Sequence, residues 1–173
     1  PANAGAENDY RFTMNYRNQW KTVTTSPFKT MSGAFDMRIS KIGEGFLAGG
    51  INFYNDKAGD SQMGVAQGNL HLAYHLKLAP EQTVGLGIMT GYAQRSMSSS
   101  ALTWGSQYDG MDFNSSLMSG EPTAGDYTKS FMDLGAGAVY TFNKGEKYST
   151  GNDLMGAIVG FSAMHLNAPD YSF

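Results

Sequence analysis

The chain has 173 residues, a formal net charge of −3 and no cysteine, with 16% charged residues, 13% aromatics and 22 glycines. So small a charge imbalance, with its Lys and Arg dispersed, excludes a nucleic-acid footprint, and the lack of cysteine removes disulfides, thiolate catalysis and zinc-thiolate sites. No apolar run reaches the ~18 residues a membrane helix needs, so any spanning structure has to be built from strands.

Residues 9–18 alternate without fault: Tyr10, Phe12, Met14 and Tyr16 fall on one face, Arg11, Thr13, Asn15 and Arg17 on the other. This is the period of two of a β-strand. Residues 30–40 repeat it, with Met31, Gly33, Phe35, Met37 and Ile39 against Ser32, Ala34, Asp36 and Arg38. In residues 45–55 the pattern softens to Leu47, Ile51 and Phe53 against Ala48, Gly50, Asn52 and Tyr54.

The fourth run, 67–78, is clean again, Leu70, Leu72, Tyr74 and Leu76 opposing Gln67, Asn69, His71, Ala73, His75 and Lys77. In residues 83–93, Val84, Leu86, Ile88 and Tyr92 alternate with Gly85, Gly87, Met89, Gly91 and Ala93, so one face is mostly small. Residues 129–142 resemble it, with Met132, Leu134, Ala136, Ala138, Tyr140 and Phe142 outward and Asp133, Gly135, Gly137 and Thr141 inward. A seventh run, 153–167, is ambiguous in its facing.

Runs of about ten residues match the ~9–11 of a tilted transmembrane strand, whereas globular strands are typically ~5–6. The connections alternate: 18–29 is long, 41–44 short, 56–64 intermediate, 79–81 a tight turn with Pro80, and 94–128 a very long polar loop. Outer-membrane barrels put short turns at the periplasm and long loops outside, which places the amino terminus in the periplasm and Trp20, Asp56, Asp60 and Trp104 at the cell surface. Residues 143–152 are long for an inner turn.

The expected fold is therefore all-β: an antiparallel transmembrane β-barrel of the outer membrane, residues 1–173 forming a single β-barrel domain. The chain supplies about seven or eight strands of a larger barrel and is incomplete at its C-terminal end. A soluble β-sandwich is the alternative. Seven strands leave an open edge, which continuation of the chain, another strand or a partner chain has to close. Pro169 to Phe173 reads as a loop in midcourse and favours continuation, while Phe173 as a terminal aromatic favours a small complete barrel.

Arg11, Arg17, Asp36, Arg38, His71, His75 and Asp133 form the expected polar ladder of the lumen, bracing the wall through cross-strand pairs rather than filtering ions. Four strand residues span ~13 Å, so His71 and His75 cannot share one metal ion. His165 has no carboxylate or serine neighbour fixed by the sequence, and a barrel hydrolase built on a Ser, His and amide triad stays an unsupported alternative. Gly85, Gly87, Gly91, Gly135 and Gly137 lie inside strands with no strand-to-helix junction, which reads as packing and not as a phosphate loop. Asn55, Asp56 and Asp60 have calcium-ligand chemistry without EF-hand spacing, and read as an ordinary turn.

The 94–128 loop is the best binding candidate, because Trp104, Tyr108, Met111 and Phe113 are interleaved with Asp109, Asp112 and Glu121. It either folds back over the barrel mouth as a plug or presents a docking surface. Trp20, Trp104, Tyr108, Asp109, Asp112 and Phe113 are the expected exterior recognition residues. No catalytic residue, metal or cofactor is assigned.

Five segments carry a resemblance: Pro1-Ala2-Asn3-Ala4-Gly5, Tyr16-Arg17-Asn18-Gln19-Trp20, Asn55-Asp56-Lys57-Ala58-Gly59-Asp60, Leu102-Thr103-Trp104-Gly105-Ser106-Gln107-Tyr108-Asp109 and His165-Leu166-Asn167-Ala168-Pro169. With them the chain resembles, nearly end to end, the PorP/SprF family of type IX secretion and gliding-motility membrane proteins of the Bacteroidota. Members are longer, so the chain resembles their amino-terminal portion. The resemblance implies a non-enzymatic outer-membrane barrel that helps secreted proteins, notably large gliding adhesins, to leave or stay on the cell surface. Its implied partners are the C-terminal sorting domain of a secreted client or adhesin, a periplasmic anchoring complex, other type IX components and outer-membrane lipid. A passive channel for small solutes is the alternative function.

Overall fold

The structure, a computed structural model, describes residues 1–24, 26–59, 61–98, 102–120, 126–145 and 155–172. The alternating runs become seven strands: β1 (Tyr10–Gln19), β2 (Phe28–Ile42), β3 (Gly45–Ala58), β4 (Met63–Ala79), β5 (Gln82–Ser98), β6 (Asp126–Lys144) and β7 (Met155–Ala163). They pair antiparallel in chain order in one sheet, which curls into a half-barrel. The turns at residues 43–44 and 80–81 define one rim, and the loops at 20–27, 59–62 and 102–120 the other.

Cross-strand pairing holds one chemistry per face. Phe12 stands opposite Phe35, Phe35 opposite Ile51, Ile51 opposite Leu70, Leu72 opposite Ile88 and Ile88 opposite Ala136. Apart from Lys29, Lys57 and Lys144 close to the strand ends, the described residues of this face carry no ionised side chain, and its apolar groups are open: Phe12 is 71% exposed, Leu70 59% and Ile88 62%. In water, each such side chain would forgo ~1.5–3 kcal/mol of burial energy, so this face belongs against hydrocarbon. The opposite face is the packed one, and the largest fully buried side chains there are His75 and Asp133. A β-sandwich would reverse that arrangement, and the fold is the wall of a membrane-spanning barrel.

Several boundaries differ from expectation. Strand β3 runs on to Ala58, so the connection expected at 56–64 shrinks to 59–62 and Asp56 is a ladder residue, its Oδ1 accepting the Thr30 hydroxyl at 2.6 Å. That corrects the reading of Asp56 as a turn residue. Asp60, Glu121, Asp153 and Phe173 lie outside the described residues. Strand β7 stops at Ala163, short of residue 167, and its facing is settled by β6: Val159 and Phe161 stand opposite Tyr140 and Ala138, while Ile158 and Ser162 stand opposite Thr141 and Gly137.

One irregularity breaks the period of two. In β2, Arg38 faces Ala48 but Ser40 faces Leu47, so Ile39 is an extra residue and the facing switches beyond it. Lys41 consequently pairs with Phe46 on the inner face.

Candidate functional site

Between β5 and β6, residues 102–120 organise themselves. A single 3-10 turn, Gly105–Gln107, follows Trp104, whose N–H donates to Gln107 Oε1 at 3.3 Å. Gln107 in turn donates from Nε2 to the Leu117 carbonyl at 3.1 Å, and the Ser106 hydroxyl donates to the Ser119 carbonyl. Tyr108 and Phe113 form an antiparallel bridge, making a small hairpin whose tip is Asp109, Gly110, Met111 and Asp112. Asp-Gly suits that tip, because Gly110 sits at φ 101 and Asp109 Oδ1 accepts the N–H groups of Met111 and Asp112 at 2.9 and 3.0 Å. The N–H groups of Asp112 and Met111 hold the Asp109 carboxyl below its usual range.

The hairpin presents apolar side chains to the outside. Met111 is 88% exposed, and Tyr108 and Phe113 flank the tip, both exposed. Trp104 is half-buried at the hairpin's base. The five expected recognition residues of this loop are therefore gathered around one turn. Trp20 is not among them; it stands in the β1–β2 connection at φ 60, its ring edge-on to Phe28 at 5.0 Å.

On the inner face the expected ladder is present as one cross-strand pair, Arg11 Nε to Asp36 Oδ2 at 2.8 Å. The other side chains reach for something the periodicity does not show. Residues 1–9 form a strap across the concave face. Asp36 Oδ1 accepts the Gly5 N–H at 2.8 Å, Arg38 Nε donates to the Gly5 carbonyl at 2.8 Å, and Arg38 also pairs with Asp9 at 2.7 Å. His75 donates from Nε2 to the Ala4 carbonyl at 2.8 Å, a bond that fixes its tautomer. Phe46 lies between the two holders, stacked on His75 at 4.7 Å and under the Arg38 guanidinium at 4.5 Å.

The seat under the strap is shaped by missing side chains. A Cβ on Gly87 would lie 2.6 Å from Ala2 Cα, and one on Gly5 would lie 2.6 Å from Ala48 Cβ. Ala2 and Ala4 are consequently buried. His71, on the same face of β4 as His75, contacts Asn52 Oδ1 through Nε2, while its Nδ1 is buried with no partner among the described residues. Arg17 lies exposed near the loop rim, opposite Thr30. The strap was missed by sequence reasoning; the available signal was the match between a run of small residues at 1–6 and the small inner face of β5.

With this geometry in view, comparison with known families matches residues 1–173 in full to the type IX secretion system membrane proteins PorP/SprF. The chain belongs to that family. No curated protein and no solved structure matches it. Membership makes it a membrane component of type IX secretion, in keeping with a β-sheet that turns an apolar face outward.

After β7 the PorP/SprF chain carries residues 164–172 on along β6 toward that strand's start. Here one expectation is corrected, for His165 does have a carboxylate neighbour: its Nδ1 lies 2.9 Å from Asp133 Oδ1, which also accepts the His165 N–H at 3.1 Å. The partner comes from a strand 32 residues earlier, so no local motif announces it. Asn167 then stands in for a neighbouring strand, its amide donating to the Met132 carbonyl at 2.7 Å and accepting the Leu134 N–H at 3.1 Å. Both are backbone groups that a bilayer would leave unpaired at a cost of several kcal/mol. Near the loop rim, Lys129 pairs with Asp170 at 2.7 Å and holds that carboxyl below its usual range. The segment at 165–169 that contributed to the resemblance is thus the one that finishes this stretch of β6.

Proposed function

We propose that the protein is an outer-membrane, non-enzymatic component of the type IX machinery that holds a secreted client at the cell surface. The client contact is the folded C-terminal sorting domain of an exported protein such as a gliding adhesin, and the turn rim faces the periplasm, where an anchoring complex docks. The observation that carries this reading is the 107–114 hairpin, which sets Tyr108, Met111 and Phe113 beside Asp109 and Asp112 on the rim opposite the short turns. An exposed aromatic cluster edged by acidic groups is the make-up of an interaction hot spot. Trp104 stands at the hairpin's base, and Trp20 lies on the same rim in the β1–β2 connection, with the β3–β4 connection between them.

Cells carrying Trp104→Ala with Tyr108→Ala are expected to lose surface-exposed adhesin while keeping normal amounts of folded barrel. Unchanged adhesin display with normal folding overturns the proposal. The reading as a freely open channel is disfavoured by the strap, which lies across the inner face where solutes would pass.

A further inference from the structure

The strap divides the inner face into two cavities. On its loop-rim side lies a space of about 330 Å3 bordered by Pro1, Asn3 and Ala4 of the strap and by Arg11, Asn52 and His71 of the wall. On its turn-rim side lies one of about 1100 Å3 bordered by Ala6, Glu7 and Asp9 of the strap and by Lys41, Lys77 and Thr141 of the wall. The wall beneath is continuous between them. Asp36 borders the first cavity and Arg38 the second, and these are consecutive inward positions of β2; on β4, His71 and His75 are divided the same way with Ala73 between. What separates the cavities at this point is residues 1–6.

We infer that residues 1–9 are a latched gate, and that releasing them joins the two cavities into one polar passage for water and small polar solutes. The attachment suits a part that moves. Strap and wall meet through directional bonds from Asp36, Arg38 and His75, a Glu7–Arg11 ion pair at 3.7 Å, and contacts of Pro1, alanine and glycine, with no large apolar side chain among them, so little apolar area is lost on lifting. Only Asp9, where the strap enters β1, is tied to the sheet backbone, its carbonyl accepting the Arg38 N–H at 2.9 Å; residues 1–8 make no ladder pair. The passage it would uncover brings Arg11, Asp36 and Asn52 of one cavity into line with Arg38, Lys41, Lys77 and Asn143 of the other, groups that hold water and not lipid.

Residues 1–173 hold no cysteine, so with any cysteine elsewhere in the protein replaced by serine a single introduced thiol reports on the strap alone. In the full-length protein reconstituted in lipid bilayers, Ala4→Cys is expected to react with a water-soluble maleimide far more slowly than the exposed control Ser116→Cys. Adding Asp36→Ala with Arg38→Ala is expected to accelerate labelling of Ala4→Cys roughly tenfold or more, from the loss of charge-assisted bonds, and to raise bilayer conductance in step. Asp36→Asn, which keeps an acceptor for Gly5, should fall between. Gly87→Leu tests the same idea from the other side, filling the seat of Ala2 with the latch residues intact, and should also raise both readings. The inference is overturned if Ala4→Cys in the otherwise unchanged protein labels as fast as Ser116→Cys. It is equally overturned if either released variant labels fast without added conductance, which would make the strap a filler of the wall.

Discussion

The strap at residues 1–9 and the loop at residues 102–120 both lack regular structure over most of their length, yet they are ordered by opposite means. The loop is held by itself: Gln107 donates to Leu117, Ser106 to Ser119, and the N–H groups of Met111 and Asp112 to the Asp109 carboxylate. The strap is held by the wall, through Asp36 and Arg38 of β2 and His75 of β4. A self-ordered segment can hand its apolar side chains to a partner without losing its shape. A wall-ordered segment has its polar backbone satisfied by the barrel, so moving it alters the barrel's interior.

That contrast can be broken from the strap side with the largest effect. Asp36→Ala removes the acceptor of both the Gly5 N–H and the Arg11 guanidinium, and is expected to cost about 2–4 kcal/mol of folding stability in urea titrations of the reconstituted protein. Gly87→Leu, by overpacking the seat, is expected to cost about 1–3 kcal/mol in the same measurement. Neither should alter the client capture proposed for the hairpin, and coupled loss of both would show that the two regions are one unit. On the loop side, Tyr108→Ala should abolish client retention while shifting stability by less than about 0.5 kcal/mol, since the side chain is exposed.

The smallest effect is a pH dependence. The folded hairpin holds the Asp109 carboxyl below its usual range, so its turn bonds favour the ionised form and are fully present above the unfolded value of ~4. They weaken as pH falls through the lower folded value. Hairpin order, followed by a fluorophore on Ser116→Cys, is thus expected to persist at mildly acidic pH and to loosen only in stronger acid. Asp109→Asn, which retains an acceptor oxygen, should shift little at neutral pH and lose the acid step.

The strands were legible because each outward residue reports its own environment: Phe12, Phe35, Ile51 and Leu70 need hydrocarbon regardless of which strand is adjacent. Residues 158–161 defeated the same reasoning, since Ile158, Val159 and Phe161 are all apolar and the ladder with β6 had to decide their sides. The hairpin was partly legible through Asp109-Gly110 between two aromatics. The strap was not, because Ala4 and His75 are 71 residues apart and a peptide of Pro, Ala, Asn and Gly has no periodicity to betray a seat. Asp133, expected in the lumen ladder, lies buried on the inner face and bonds His165, a partner set by the path of the chain after β7.

The added residue in β2 has a consequence for how this wall tolerates change. Had the alternation continued unbroken past Ile39, Lys41 would have been carried to the outside, where a cation at the bilayer midplane costs ~2–4 kcal/mol and progressively less toward the interface. Ile39 acts as a frame correction: one inserted position restores the reading of all that follow. Insertions and deletions in this family should therefore be absorbed in pairs along the strands, and singly only where a neighbouring irregularity resets the phase.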